Sequence, residues 1–378
     1  MKVLHSGSLN VKYGGPALST YLTLKGLMKS NVDVEIIMPP LCNDGVLISD
    51  DVSIHYTKSI RNARLGYMYG LFQTLKKLPL YDLYHIQGLW QYLGHGVATY
   101  ARRKDKPYVI TLRGMMYPQA LAHSAFIKKL SLALYQRRDL ECAACVQATC
   151  EQEMEYYRDL GFKNPVAVLP NPIVIEGVVD RSIPKKDIFR IGYLGRIHPR
   201  KRIERLIYAL DSLRDKLVDT ELVIIGADDK QYEQFLRKEV ERLKLNDIVR
   251  FTGFLTRKEK DEVIMSLSYL VVPSDFENFG NIVTEALVRG VPVIASKGMP
   301  WKDLEDYHCG WWINNDQDTI NRTIMMAYNI SEEDRIRMGM NGKQLMRDKY
   351  SVEVLGIKMK QLYEWILNGG EKPDFVYE

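Results

Sequence analysis

"SYLVVPSDFENFGNIVTEALVRG", residues 268–290, contains one whole strand–loop–helix step. "SYLVVPS" is a short, unbroken apolar run of the kind that forms a buried strand. "GNIVTEALVRG" places Ile282, Val283, Ala286 and Leu287 at helical spacing. The strand run is continuous rather than alternating, which predicts a parallel strand covered on both faces. Between strand and helix lie an acid, Glu277, two aromatics, a glycine and an asparagine. Ligands of open parallel sheets bind beyond the carboxyl ends of the strands, so this loop is where chemistry is to be sought.

The same step recurs along the chain. "KVLH" precedes a helix candidate at residues 16–30 and then "DVEIIMP". "LYHIQ" precedes a helix near residues 92–104 and then "PYVITLRG"; "CVQAT" precedes a helix and then "VAVLPNP". A proline-rich break at residues 169–187 reads as a linker. The pattern restarts with "FRIGYLGR", "ELVIIGAD", "IVRFTGF", "YLVVPSD" and "VPVIAS". Strands alternating with helices imply βαβ units. The expectation is an α/β protein of two Rossmann-like, doubly wound parallel-sheet domains facing a central cleft. The boundaries are 1–170, 171–350, and a C-terminal helix and tail at 351–378 that packs back toward the first domain. Val354, Ile357, Leu362, Trp365 and Ile366 give that tail its helical period.

Composition narrows the class. The 378 residues are 46% apolar and 26% charged, ordinary for a globular chain with a core in each half. No apolar run is long enough to span a membrane. The start, "MKVLHSGSLN", lacks the apolar core of a signal peptide, so a cytoplasmic location and reduced thiols are expected. Cys142, Cys145 and Cys150 sit close together, but no second CxxC exists to complete a zinc set. Buried packing accounts for them, and helix capping for the acids Asp316 and Asp318. No metal is therefore expected. Residues 1–150 carry 18 Lys and Arg against 9 Asp and Glu, while the remainder carries 34 against 38. A basic first half suits an acidic partner or an anionic surface.

Three stretches could carry chemistry. In "GSLNVKYGGPALS", Gly14 and Gly15 stand before Pro16, which suits a helix start where a phosphate can come close, or a turn that needs positive φ. In "GYLGRIHPRKRIERL", residues 192–206, five cations follow a strand end. Arg196 and Lys201 could grip a diphosphate; the alternative is a solvated helix start, although cations are disfavoured there. In residues 274–286, Glu277 lies in the loop and Glu285 inside the helix. Backbone N–H groups of Phe279, Gly280 and Asn281 could bind sugar hydroxyls or phosphate oxygens, and Glu285 could accept a ribose diol. The plain alternative is one capping acid and one surface acid.

Together these stretches resemble the retaining glycosyltransferases of family 4, also called group 1, which have the GT-B fold. "GRIHPRK" looks like the family's Arg…Lys pair for the donor diphosphate, "FENFGNIVTEA" like its E-x7-E element, and "GGPALS" like its N-terminal glycine loop. "LVIIGADDKQY" and "VRFTGFL" fall in the expected order, and the second implicates Phe254 and Leu255 in reading the nucleotide base. The likeness runs over nearly the whole chain and is looser in the first domain. One departure stands out. Many members carry a histidine at the end of the strand "YVITLRG", where this chain has Arg113. "LRGMMYPQAL" looks like a branch of the family with S-P-R-G-M-L here, and no histidine role carries over. Arg113 and His85 are the candidate acceptor or sugar contacts, and His5 reads as structural.

The resemblance implies metal-independent transfer of a hexose-type sugar from a nucleotide diphosphate sugar to a glycan or lipid-linked acceptor hydroxyl, with anomeric configuration kept. Cell-surface polysaccharide synthesis would be a natural setting. Arg196 and Lys201 would stabilise the departing diphosphate, and Glu277 would hold the donor sugar. The other readings are a GT-B-like sugar-nucleotide epimerase and a non-catalytic nucleotide-sugar-binding protein. "FIKKLSLALYQRR", residues 126–138, mixes apolar and basic residues at helical spacing, which suits a peripheral membrane contact or an ordinary packed helix.

Overall fold

A computed structural model of the chain describes residues 1–10, 14–40, 51–58, 68–175, 177, 188–227 and 229–378. Most of the proline-rich linker expected at 169–187 lies outside the described residues. The chain divides into two compact units, Met1–Val174 with Tyr350–Glu378, and Ile175–Lys349.

In chain order the strands are β1 (Lys2–Ser6), β2 (Asp33–Met38), β3 (Ser53–Tyr56), β4 (Leu83–Gln87), β5 (Tyr108–Thr111), β6 (Cys145–Ala148) and β7 (Val166–Val168) in the first unit. The second unit has β8 (Phe189–Leu194), β9 (Thr220–Ile225), β10 (Val249–Gly253), β11 (Tyr269–Val272), β12 (Val293–Ser296) and β13 (Gly310–Ile313). The last strand, β14 (Val376–Tyr377), returns to the first unit.

The first sheet runs β14-β7-β6-β5-β4-β1-β2-β3, parallel except for β14 against β7. The second runs β10-β9-β8-β11-β12-β13 and is parallel throughout. In each, the order reverses once, beside β1 and β4 in the first sheet and beside β8 and β11 in the second. That reversal opens a crevice at the carboxyl ends of the two strands.

The strand runs are continuously apolar because both sheet faces are buried. Leu4, Tyr84, Ile110 and Val146 enter one core cluster of the first unit, while their chain neighbours Val3, Leu83, Val109 and Cys145 enter another. The helix Gly15–Lys29 and the C-terminal helix Val352–Asn368 cross at Gly26 and Gly356. A Cβ on Gly356 would lie 2.2 Å from the Gly26 carbonyl oxygen.

The cysteine run splits into local roles. Cys145 is buried in β6, Cys150 is buried just ahead of the helix Glu151–Asp159, and Cys142 is exposed. Asp316 accepts from the Thr319 N–H and caps the helix Gln317–Tyr328. Among the described residues, no group of three metal-binding side chains comes together, and no helix is long and apolar enough to cross a membrane.

Candidate functional site

The second unit gathers its charged residues at the reversal point. β8 ends at Leu194, and the turn that follows carries Arg196, exposed, and then the short 3-10 helix Pro199–Lys201. His198 caps that turn by accepting from the Arg200 N–H at 3.3 Å. Arg202 follows with φ of 52°. This conformation costs a non-glycine residue about 1 kcal/mol or more. It is held by an ion pair of 2.6 Å from Arg202 Nε to Asp275 Oδ2.

β11 enters the same place. Asp275 donates its N–H to the Arg200 carbonyl at 2.9 Å, which ties the two strand-end loops together. Glu277 donates its N–H to the Gly298 carbonyl at 2.8 Å, so its backbone is anchored from the other side.

Side chains then meet inside this frame. Lys201 is 6% exposed and donates to Oε1 of Glu277, which also accepts from Ser274 Oγ at 3.2 Å. Burial, with Arg200 and Arg196 adding like charge, pushes the Lys201 ammonium down to about 7. The Glu277 carboxylate opposes that shift. A lysine at the edge of losing its charge is costly to bury unless an anion faces it.

Glu285 sits inside the helix Asn281–Leu287 and accepts from Lys260 Nζ at 2.7 Å. Gly280 precedes this helix with φ of 81°, and a Cβ there would lie 2.3 Å from Met299 Cε. The positive φ favours glycine, and a Cβ would also have to displace the flexible end of Met299. The Phe279 ring is buried against Trp301, whose indole N–H donates to the Phe279 carbonyl at 2.5 Å. Phe279 thus shapes the loop as a core residue. Phe254 follows β10 and is 90% exposed, an aromatic face at the same carboxyl edge, with Leu255 half-buried beside it.

The first unit places its candidates at its own strand ends. Gly14 has φ of 63° and precedes the helix Gly15–Lys29, and among the described residues nothing lies within 4 Å of where its Cβ would be. Arg113, after β5, donates to Gln87, Ser19, Thr20 and Asn171. It thereby braces the glycine-led helix against the strand ends.

His85 requires a correction. It is fully buried, its Nδ1 lies 2.5 Å from the Tyr363 hydroxyl, and its Nε2 lies 2.6 Å from Thr111 Oγ1. No ring nitrogen remains for a sugar, so His85 is a structural residue. His5, its ring tilted beside it with centroids 4.6 Å apart, is equally buried.

Sequence reasoning missed Ser274, Asp275, Lys260 and Glu153. Glu153, fully buried, accepts from the backbone of Gly114 and Thr149 and supports the Arg113 turn. Ser274 and Asp275 were within the quoted loop and could have been found there. Lys260, one cation of a charged helix start, carries no distinguishing sign.

Residues 179–345 match the family "Glycosyl transferases group 1", and residues 14–172 match the "Glycosyl transferase 4-like domain". An uncharacterised glycosyltransferase of Methanocaldococcus jannaschii is 27% identical over 264 residues, 68% of each chain. Two further relatives are matched over only 61% and 56% of their own lengths. Among solved structures, the sucrose-phosphate synthase of Thermosynechococcus elongatus superposes with a TM-score of 0.76 at 19% identity, over 98% of this chain and 100% of that one. Anabaena HepE, solved in complex with UDP and glucose, gives 0.72 at 16% identity, over 96% and 99%. These structural likenesses are of fold, and the fold is GT-B. The chain belongs to the group 1 glycosyl transferases and is a glycosyltransferase of that family, with a glycosyltransferase 4-like domain ahead of the group 1 domain.

Proposed function

We propose that this glycosyltransferase moves a hexose from a nucleotide diphosphate sugar to a hydroxyl of a glycan or lipid-linked acceptor, keeping the anomeric configuration. One observation carries the reading. A buried lysine and a largely covered glutamate, from loops after β8 and β11, meet at the reversal point of the second sheet. Arg196 and Lys201 face the diphosphate and take up the negative charge that grows as the glycosidic bond breaks. Groups aimed at developing charge in this way are worth about 10²–10³ in rate each. Glu277 holds donor-sugar hydroxyls, and Glu285 holds the ribose diol once Lys260 yields. Phe254 and Leu255 flank the base, with the backbone of Phe279, Gly280 and Asn281 toward the donor. Gly14 and Gly15 leave room for the donor's phosphates beside the Arg113 brace. Two fixed cations supply what a divalent metal supplies elsewhere.

HepE, of the same fold, has been solved with UDP-glucose, so UDP-hexoses are the first donors to test. The test is a thermal-shift screen of UDP-, GDP-, TDP- and ADP-sugars, followed by product analysis with EDTA present. Transfer by the native chain and its loss in Glu277→Gln and Lys201→Ala are expected. Full transfer by either variant would overturn the assignment. An epimer formed from donor alone would replace transfer with isomerisation.

A further inference from the structure

Residues 125–141 form one continuous helical stretch made of the helix Ala125–Ser131, a π segment Leu132–Gln136 and the helix Arg137–Glu141. Four of its large apolar side chains stand in water: Phe126 is 80% exposed, Leu134 72%, Ile127 52% and Leu130 49%. Positions 126, 130 and 134 recur at the spacing that puts side chains on one helix face. A soluble chain rarely leaves such a cluster uncovered.

The charge beside the stripe says what covers it. Lys129, Arg137 and Arg138 lie on the same stretch and are exposed. A pocket of about 440 Å³ adjoins it, lined by His95, Arg102, Arg103 and Arg138, with Leu134 of the stripe in its wall. Asp139, 1% exposed, is the buried acid behind the pocket. It holds His95 and Arg102, each at 2.8 Å, and so fixes the basic wall. Arg103 is braced by the Phe72 ring at 5.3 Å. Among the described residues, neither Arg103 nor Arg138 has a carboxylate partner.

We propose that this face docks on a membrane leaflet containing anionic phospholipid. Phe126, Ile127, Leu130 and Leu134 enter the acyl boundary, and a lipid phosphate sits against Arg102, Arg103 and Arg138. An apolar stripe beside a cationic groove is the pattern of an interfacial helix. Each cation near an anionic surface strengthens binding by roughly fivefold. A nucleic acid would leave the four apolar side chains without a role. A second copy of the chain would bring two sets of arginines together. The surface lies wholly in the first unit and is independent of the transfer reaction proposed above.

The experiment is co-sedimentation of the full chain with extruded vesicles of phosphatidylcholine alone and of phosphatidylcholine with phosphatidylglycerol in equal parts. Binding to the mixed vesicles only, weakened by salt, is expected. Phe126→Ser with Leu134→Ser, and separately Arg103→Glu with Arg138→Glu, should each weaken it by roughly tenfold or more. These are surface positions, and unchanged thermal melts will show that the variants fold. Absence of binding to the mixed vesicles overturns the proposal, as does equal binding by wild type and both variants. Lipid-free self-association abolished by the Phe126 and Leu134 changes would name a second copy as the occupant and also overturn it.

Discussion

Lys201 donates its ammonium to Glu277 across 76 residues of sequence, and both side chains are almost withdrawn from water. The Lys201 pKa lies near 7 rather than at its usual 10.5, so the ammonium is present below that pH and is lost as pH rises through it. Since kcat/KM reports the free enzyme, it should fall on the alkaline side from about pH 7, approaching tenfold per pH unit. If Lys201 faces the donor diphosphate as proposed, bound donor should restore the charge, and kcat should fall only at higher pH. Lys201→Arg keeps a charge that does not titrate and should flatten the limb at a lower rate. Glu277→Gln removes the opposing carboxylate, and since that variant should not transfer, its effect is read in donor binding: stabilisation by UDP in a thermal-shift assay should be lost at a lower pH than in the native chain. A kcat/KM that climbs steadily above pH 7 would contradict a role for the ammonium.

The strands that frame this pair were legible because each is a continuous apolar run ended by glycine or a polar loop. Their neighbours were not. Nothing in "GYLGR" or "YLVVPSD" says that β8 and β11 lie side by side, so contacts such as Arg202 with Asp275 appear only once the sheet order is known. β3 escaped because Ser53–Tyr56 is a short edge strand with no buried residue, and β14 because it has two residues. His85 misled because a histidine near a strand end reads as a ligand. Its fate is decided by Tyr363, 278 residues away.

Phe254 tests the proposed base-reading edge of the site. Its ring is 90% exposed, so Phe254→Ala should leave the melting temperature unchanged. Stacking of a base on an aromatic ring is worth about 1–3 kcal/mol. The donor KM should therefore rise by roughly tenfold or more, and stabilisation by UDP in a thermal-shift assay should shrink. An unaltered donor KM would remove Phe254 from the site.

The buried histidines should make the first unit sensitive to acid. Burial and the nearby Arg113 push His5 down to about 3, and burial pushes His85 well below its usual 6.5. Both stay neutral in the folded chain. The unfolded chain takes up protons below about pH 6.5, so stability is fully present above that pH and falls beneath it. Each histidine contributes up to about 1.4 kcal/mol per pH unit. Urea unfolding at a series of pH values should show this slope, and His85→Asn should remove about half of the histidine part. An identical pH slope in the variant would show that these rings do not set it.

Gly356 tests whether the C-terminal helix is part of the first unit's core. The helices Gly15–Lys29 and Val352–Asn368 touch backbone to backbone, and a Cβ on Gly356 would also lie 2.8 Å from Gly26 Cα. Neither helix backbone can yield as a flexible side chain would. Gly356→Ala should therefore force the helices apart and destabilise the fold by about 1–3 kcal/mol, despite alanine's better helix propensity. In a unit of this size, that is a fall of several degrees in Tm. At the next position, Ile357, which is 52% exposed, Ile357→Ala adds no atom to the crossing and should lower Tm by less. Equal effects at the two positions would mean that the helix crossing is looser than the glycine contact requires.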